Sequence, residues 1–155
     1  MNVVQVLEHS NLLEVKSGII CQQVNCVGVM GAGLALQIKR KWPVVYKNYK
    51  QDCDLVADDP TKLMGCVQDT LVGDGLVVAN CFGQVYPGMN RVMTDYFAWD
   101  MILDKLCVLA NFFSLDLHFP WGIGCGLAGG DWGIISEKLH NKFNDSKTLA
   151  FIHKL

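Results

Sequence analysis

The fold is decided by a short stretch in the first quarter of the chain, Val24-Asn25-Cys26-Val27-Gly28-Val29-Met30-Gly31-Ala32-Gly33-Leu34-Ala35. A later stretch repeats its design: Phe119-Pro120-Trp121-Gly122-Ile123-Gly124-Cys125-Gly126-Leu127-Ala128-Gly129-Gly130-Asp131-Trp132. Each pattern predicts a β-strand, a glycine-rich turn and then a helix. Glycine lets a ligand come close to bare N–H groups, and the helix start that follows favours an anion. Since such loops lie at the carboxyl ends of strands in open α/β sheets, two of them facing one crevice would suit a diphosphate.

The first loop matches neither of the common nucleotide-binding fingerprints. Leu34 and Ala35 stand where a P-loop needs Lys followed by Ser or Thr. The spacing of Gly28, Gly31 and Gly33 also differs from that of the dinucleotide motif G-x-G-x-x-G. A P-loop kinase and a Rossmann dehydrogenase are therefore disfavoured.

The remaining pattern predicts alternating strands and helices. We expect strands over 3–7, 18–24, 65–72, 76–81, 115–119 and 148–153, with the Gly73-Asp74-Gly75 run as a hairpin turn. We expect helices from about 34 to the residue before Pro43, over 44–53, from a cap at 94 or 95 to about 111, and over 132–143. This order predicts an α/β protein with a mixed sheet and helices on both faces, in one domain spanning 1–155.

Composition narrows the possible partners. The formal net charge is −2, so no global positive field attracts nucleic acid, and the basic run Lys39-Arg40-Lys41 is typical of a solvated helix end. No apolar run approaches the roughly 18 residues that span a bilayer, and no signal peptide is evident. The seven cysteines form no C-x-x-C pair, which indicates buried thiols in a reducing compartment. We therefore expect a cytoplasmic monomer that binds no membrane.

The two loops resemble the ligand loops of macrodomains. The likeness covers Gln22-Gln23-Val24-Asn25-Cys26, Gly28 to Ile38 and Ile123 to Trp132. Between them, Asn80-Cys81-Phe82-Gly83-Gln84 and Thr94-Asp95-Tyr96 are similar to the branch found in bacteria and phages. A phage-encoded member would act in the host cytoplasm. The resemblance implies a three-layer α/β/α sandwich that binds ADP-ribose. Members of the family remove phosphate from ADP-ribose 1″-phosphate, hydrolyse ADP-ribose esters or glycosides, or only bind.

The resemblance also implies which residues meet the ligand. Asn25 would face the distal ribose, and we favour this role over the alternative, in which the asparagine satisfies the backbone of the turn. Asn11 stands where many relatives carry an aspartate that accepts the adenine amino group, and an amide oxygen can still accept it. Phe82 would pack on ribose or adenine, or else belong to the core. The full expected set is Asn11, Cys26, Val27, Met30, Gly31, Ala32, Gly33, Leu34, Phe82, Gln84, Gly122, Ile123, Gly124, Cys125, Gly126, Leu127 and Ala128.

Catalytic groups are fewer than in some relatives. Relatives that remove ADP-ribose from protein or DNA use a lysine after the fourth strand, but residues 81–87 contain none, and Ala128 replaces an aspartate. Asp131 and Asn25 are the catalytic candidates. Asp131 could activate water or could cap the next helix, whose start at Trp132 would stabilise phosphoryl charge. Cys125 is interpreted as a small loop residue, not a nucleophile.

The histidines suggest neither catalysis nor metal binding. Of the four, His118 is expected in the core and His140 and His153 at the periphery, and no pair has metal-ligand spacing. We therefore expect no metal and no cofactor. The sequence predicts ADP-ribose binding with hydrolysis of ADP-ribose 1″-phosphate to ADP-ribose and phosphate. The alternatives are a non-catalytic module for ADP-ribose or another NAD derivative, and, less favoured, removal of ADP-ribose from protein or nucleic acid.

Overall fold

The computed structural model describes residues 2–88 and 92–155. The strands are β1 (Gln5–Leu7), β2 (Gly18–Val24), β3 (Val67–Gly73), β4 (Leu76–Phe82), β5 (Leu117–Pro120) and β6 (Ala150–His153). The helices are α1 (Gly33–Lys41), α2 (Pro43–Leu55), α3 (Tyr96–Phe113) and α4 (Trp132–Phe143), and two short 3-10 turns cover Leu12–Glu14 and Pro60–Leu63. No helix in these two ranges is both long and apolar enough to cross a bilayer.

The strands form one mixed sheet in the order β1-β6-β5-β2-β4-β3. Neighbouring strands are parallel except β3 and β4, which form an antiparallel hairpin. Ile19, near the start of β2, pairs with Leu117 on one side and Val77 on the other. The predicted mixed sheet is thus confirmed, and the glycines at 73 and 75 make the predicted turn.

The side chains of β2 alternate between two hydrophobic layers, as the period of a strand requires. Ile19 and Cys21 join the layer beneath α3 and α4, whereas Ile20 and Val24 join the layer beneath α1 and α2. The predicted three-layer α/β/α arrangement is confirmed. Because β2 is central, its carboxyl end lies between those of β4 and β5, where the loops after β2 and β5 meet.

The helix boundaries follow local sequence signals. Proline occupies the first position of α2, and Trp42 before it has a non-helical backbone, with φ −132° and ψ 82°, which separates α1 from α2. The Asp95 carboxylate caps α3 by accepting hydrogen bonds from the N–H groups of Phe97 and Ala98. Four strands begin two residues later than predicted, at Gln5, Val67, Leu117 and Ala150. For the last of these, a turn explains the delay, since Ser146 Oγ accepts the Thr148 N–H.

The prediction that His153 is peripheral was wrong. β6 lies between β1 and β5, so His153 is only 7% exposed. Its Nε2 lies 2.8 Å from His118 Nδ1, and its Nδ1 lies 2.7 Å from Ser10 Oγ. Burial and the neighbouring His153 lower the pKa of His118 to about 4, and burial also lowers the pKa of His153. These two histidines are neutral structural residues near pH 7.

Candidate functional site

A cleft of about 730 Å³ opens at the carboxyl ends of β2, β4 and β5. This volume falls within the range of small-molecule sites, roughly 300 to 1,000 Å³. The lining residues come from the end of β2, the two glycine-rich loops, the start of α1 and the segment after β4. They are Gln22, Gln23, Val24, Asn25, Val29, Gly31, Ala32, Gly33, Leu34, Ala35, Gln84, Pro87, Gly88, Pro120, Trp121, Gly122, Ile123, Gly124, Gly126, Leu127 and Ala128.

Within the part of the chain that the structure describes, the start of α1 supplies unpaired N–H groups to this cleft. The residue at its N-cap is Ala32, which has no side-chain oxygen to accept them. Gly33, Leu34 and Ala35 in the first turn all line the cleft. Their amides and the positive end of the helix dipole therefore favour an anionic ligand.

The second loop presents further backbone donors. The N–H groups of Gly126, Leu127 and Ala128 have no hydrogen-bond partner in the described residues. The loop holds its shape by internal bonds, among them Gly130 N–H to the carbonyl oxygen of Gly124 at 3.0 Å. A Cβ at position 130 would lie 2.5 Å from that oxygen, so this tight turn requires glycine. The loop can thus surround a phosphate with amides.

Asn25 organises the first loop. Its Oδ1 accepts hydrogen bonds from the Tyr49 hydroxyl at 2.7 Å and from the N–H groups of Val27 and Val29 at 3.1 and 3.3 Å. Its Nδ2 donates to the carbonyl oxygen of Val29 at 2.7 Å. The structure therefore favours the turn-forming interpretation of this residue. One amide hydrogen remains for a ligand, since an –NH₂ group has two.

Gln23 is a site residue that the sequence analysis did not identify. Its Nε2 donates to Gln84 Oε1 and Thr94 Oγ1, both at 2.9 Å, and its Oε1 accepts the Trp99 indole N–H at 2.7 Å. The Thr94 hydroxyl in turn donates to the carbonyl oxygen of Gly124 at 2.5 Å. One side chain at the end of β2 thereby joins the second loop to the start of α3. Only its position beside Asn25 could have suggested this role.

Most of the expected ligand residues line the cleft, but six do not. Cys26, Met30 and Phe82 are at most 2% exposed and belong to the core beneath α1 and α2, which favours the core interpretation of Phe82. Asn11 caps the first 3-10 turn by accepting the Leu13 N–H at 2.9 Å. The others outside the lining are Val27 and Cys125.

Cys125 is held as a neutral thiol. Burial, and to a lesser extent the nearby Asp131 carboxylate, raise its pKa to about 11. Its Sγ donates to the carbonyl oxygen of Ile123. The expectation that Cys125 is no nucleophile agrees with this environment, because the thiolate is the reactive form.

Asp131 acts as a helix cap. Its carboxylate accepts the Gly133 N–H at 2.8 Å, and its own N–H donates to the Tyr96 hydroxyl at 2.8 Å. Neither Asp131 nor Trp132 lines the cleft. The expectation that the start of α4 would stabilise a phosphate is therefore corrected: a carboxylate already occupies that helix end, and the uncapped start of α1 faces the cleft instead.

Trp121 offers the cleft an aromatic surface. It is 43% exposed, its ring centroid lies 5.1 Å from that of Trp132, and Lys154 Nζ lies 4.4 Å above it. An aromatic ring supported in this way can stack on a nucleobase or on the apolar face of a sugar.

The described lining contains no ionisable side chain. Its polar groups are backbone amides, the side-chain amides of Gln22, Gln23, Asn25 and Gln84, and the indole N–H of Trp121. Within the described ranges, no three His, Cys, Asp or Glu residues are grouped as metal ligands. The lining can therefore bind an anion and hydrogen-bond to it, but no described group in it can transfer a proton near pH 7.

Comparison with solved structures gives the same architecture. A protein of unknown function from Bacteroides thetaiotaomicron is 25% identical, with a TM-score of 0.85, over 99% of this chain and 100% of that chain. The macrodomain of Mycobacterium tuberculosis DarG is 25% identical, with a TM-score of 0.81, over 98% of this chain and 99% of that chain. The chain therefore has the macrodomain fold.

Curated sequence relatives match this chain over short segments. A DNA ADP-ribosyl glycohydrolase of Mycobacterium bovis is 44% identical over 43 residues, which are 28% of this chain and 12% of the relative. An ADP-ribose 1″-phosphate phosphatase of Debaryomyces hansenii is 45% identical over 47 residues, or 30% of this chain and 26% of the relative. The chain thus spans well under two thirds of these relatives. No family model matches it.

Proposed function

We propose that this chain binds ADP-ribose in the cleft between the two glycine-rich loops. The observation that carries the proposal is the uncapped start of α1, which lies in the same cleft as the free amides of the second loop. A diphosphate fits between two such donor sets because both stabilise negative charge without a lysine or an arginine. The fold of Thermosipho africanus DarTG, whose structure was solved in complex with ADP-ribose, supports the proposal. That structure is 17% identical, with a TM-score of 0.74, over 97% of this chain and 42% of that chain.

Calorimetric titration with ADP-ribose tests the proposal. The informative variant is Gly126→Val, since Gly126 lines the cleft and a Cβ at this position meets no atom within 4 Å. The matched control is Gly73→Val in the β3–β4 hairpin, where a Cβ would make only an ordinary contact with Leu76 at 3.7 Å. We expect Gly126→Val to weaken binding about 10-fold or more, a loss of about 1.4 kcal/mol, and the control to bind normally. A folded wild-type protein without binding heat would refute the proposal.

Hydrolysis of ADP-ribose 1″-phosphate is the second candidate function. The match to the Debaryomyces hansenii phosphatase favours it, whereas the described lining supplies no general base. Phosphate release from ADP-ribose 1″-phosphate distinguishes an enzyme from a binding module. Asp131→Asn then separates the two roles of this residue, because Asn caps a helix as well as Asp but cannot accept a proton from water. We expect binding without release. Release that disappears in Asp131→Asn would establish the phosphatase and assign its base.

A further inference from the structure

A buried glutamine at the base of the cleft has one unsatisfied atom. Gln22 lies on β2, is 1% exposed and lines the cleft. Its Nε2 donates to Asn80 Oδ1 at 2.8 Å. Its Oε1 has no hydrogen-bond partner in the described residues, and it is the one buried side-chain N or O atom there of which this is true. Leaving a buried acceptor unpaired costs roughly 1 to 3 kcal/mol, so such an atom in a cleft indicates a ligand contact.

The neighbouring amides fix this atom as an oxygen and not a nitrogen. Gln68 Nε2 donates to Asp52 Oδ2 at 2.5 Å and to the carbonyl oxygen of Asn48 at 2.8 Å. A carboxylate and a carbonyl can only accept, so Gln68 must direct its nitrogen toward them and its oxygen toward Asn80. Asn80 Nδ2 donates to that oxygen at 3.1 Å, which leaves Asn80 Oδ1 to accept from Gln22. This series of bonds thus sets the orientation of Gln22 from β3, two strands away on the same face of the sheet.

We infer that Gln22 Oε1 accepts a hydrogen bond from an uncharged donor of the bound nucleotide, either a ribose hydroxyl or the amino group of the base. This inference rests on the proposed function and names the group that gives it specificity. Gln22 thereby offers an acceptor inside the cleft, whereas the oxygen of Asn11 caps a turn outside it. A ligand that offers an acceptor at this point would leave two oxygens facing each other and would be rejected.

The test pairs one protein variant with a set of ligands. Affinities are measured by calorimetry for ADP-ribose and for analogues that each lack one donor, either the adenine amino group or a single ribose hydroxyl. They are measured for the wild type, for Gln22→Met, which has similar length but no acceptor oxygen, and for Gln37→Met. Gln37 is exposed on α1 and does not line the cleft, so it controls for the substitution itself. Gln22→Asn, which shortens the side chain by one methylene, replaces the methionine variant if that variant does not fold.

For the wild type, we expect one analogue to bind about 5- to 100-fold more weakly than ADP-ribose, as the loss of a buried hydrogen bond predicts. In Gln22→Met that analogue and ADP-ribose should bind within about two-fold of each other, while the other analogues keep their wild-type ratios. The identity of this analogue distinguishes a ribose hydroxyl from the base amino group. If every ratio is the same in both proteins, the inference is wrong although ADP-ribose binds. If the folded wild type does not bind ADP-ribose, the proposed function fails and the inference with it.

Discussion

Placing a carboxylate at the N-cap of α1 should stabilise the protein and weaken its binding of ADP-ribose at the same time. Ala32 has the extended backbone of an N-cap, with φ −152° and ψ 164°, but no oxygen to accept the free amides of the helix. Ala32→Asp supplies that oxygen. A good N-cap contributes about 0.5 to 2 kcal/mol relative to alanine. For a chain of this length the melting temperature should rise roughly 2 to 4 °C for each kcal/mol gained.

The same carboxylate competes with the ligand. Two unit charges about 4 Å apart repel each other by about 1 kcal/mol in water and about 4 kcal/mol near a protein surface. The cleft is open to solvent, so we expect the dissociation constant of ADP-ribose to rise about 10-fold or more, and less at high salt. Ala32→Asn is the matched variant, because it adds an equivalent cap without the charge and should lose less affinity.

Thermal denaturation and calorimetric titration measure the two effects separately. If Ala32→Asp is stabilised but binds ADP-ribose as tightly as the wild type, the start of α1 is not the anion site. If neither stability nor affinity changes, the amides at this helix end are not available in the free protein. Either result would refute the reasoning from the uncapped helix start to phosphate binding.

Two further predictions concern the residues around the cleft and the sheet. Gln23→Met removes the acceptor of the Trp99 indole N–H and should lower the free energy of unfolding by about 1 to 3 kcal/mol. The control is Gln37→Met at an exposed position, which should change it little. Chemical denaturation measures both variants, and equal free energies of unfolding for the two would contradict the role of Gln23. Because burial lowers the pKa of His118 to about 4 and also lowers that of His153, the unfolded chain binds more protons between the ordinary value of 6.5 and about 4. The melting temperature should therefore fall as the pH drops through this range, and it should fall less in His118→Gln. If plots of melting temperature against pH are parallel for the wild type and the variant, these histidines do not cause the pH dependence.

The sequence was sufficient for the fold because its signals are local. The glycine run after Asn25, the proline at 43 and the turn at 73–75 each act on their immediate neighbours, and the structure has a loop, a helix boundary and a hairpin there. The same holds for Asp95, whose carboxylate caps the helix beside it.

The roles of individual side chains were harder to predict because they depend on distant partners. Gln22 bonds to a residue 58 positions away and Gln23 to one 76 positions away, so neither differs in sequence from a polar interruption in a buried strand. Asp131 stayed ambiguous because a cap and a general base both suit the residue before a helix, and only the direction of its carboxylate favours the cap. His153 was misplaced because a position near the end of the sequence suggests the surface, whereas its strand lies inside the sheet.

The position of β6 in the sheet has a consequence for synthesis of the protein. Among the six strands of the described sheet, β1 is made first and β6 is made last. The two strands pair, so β1 has no strand partner in that sheet until Ala150–His153 have left the ribosome. The second loop also depends on this strand, since the Trp121 N–H donates to the carbonyl oxygen of His153 at 2.9 Å. At a translation rate of about 5 to 20 residues per second, β6 is made several seconds after the earlier strands. Nascent chains that end before β6 should therefore lack a completed cleft.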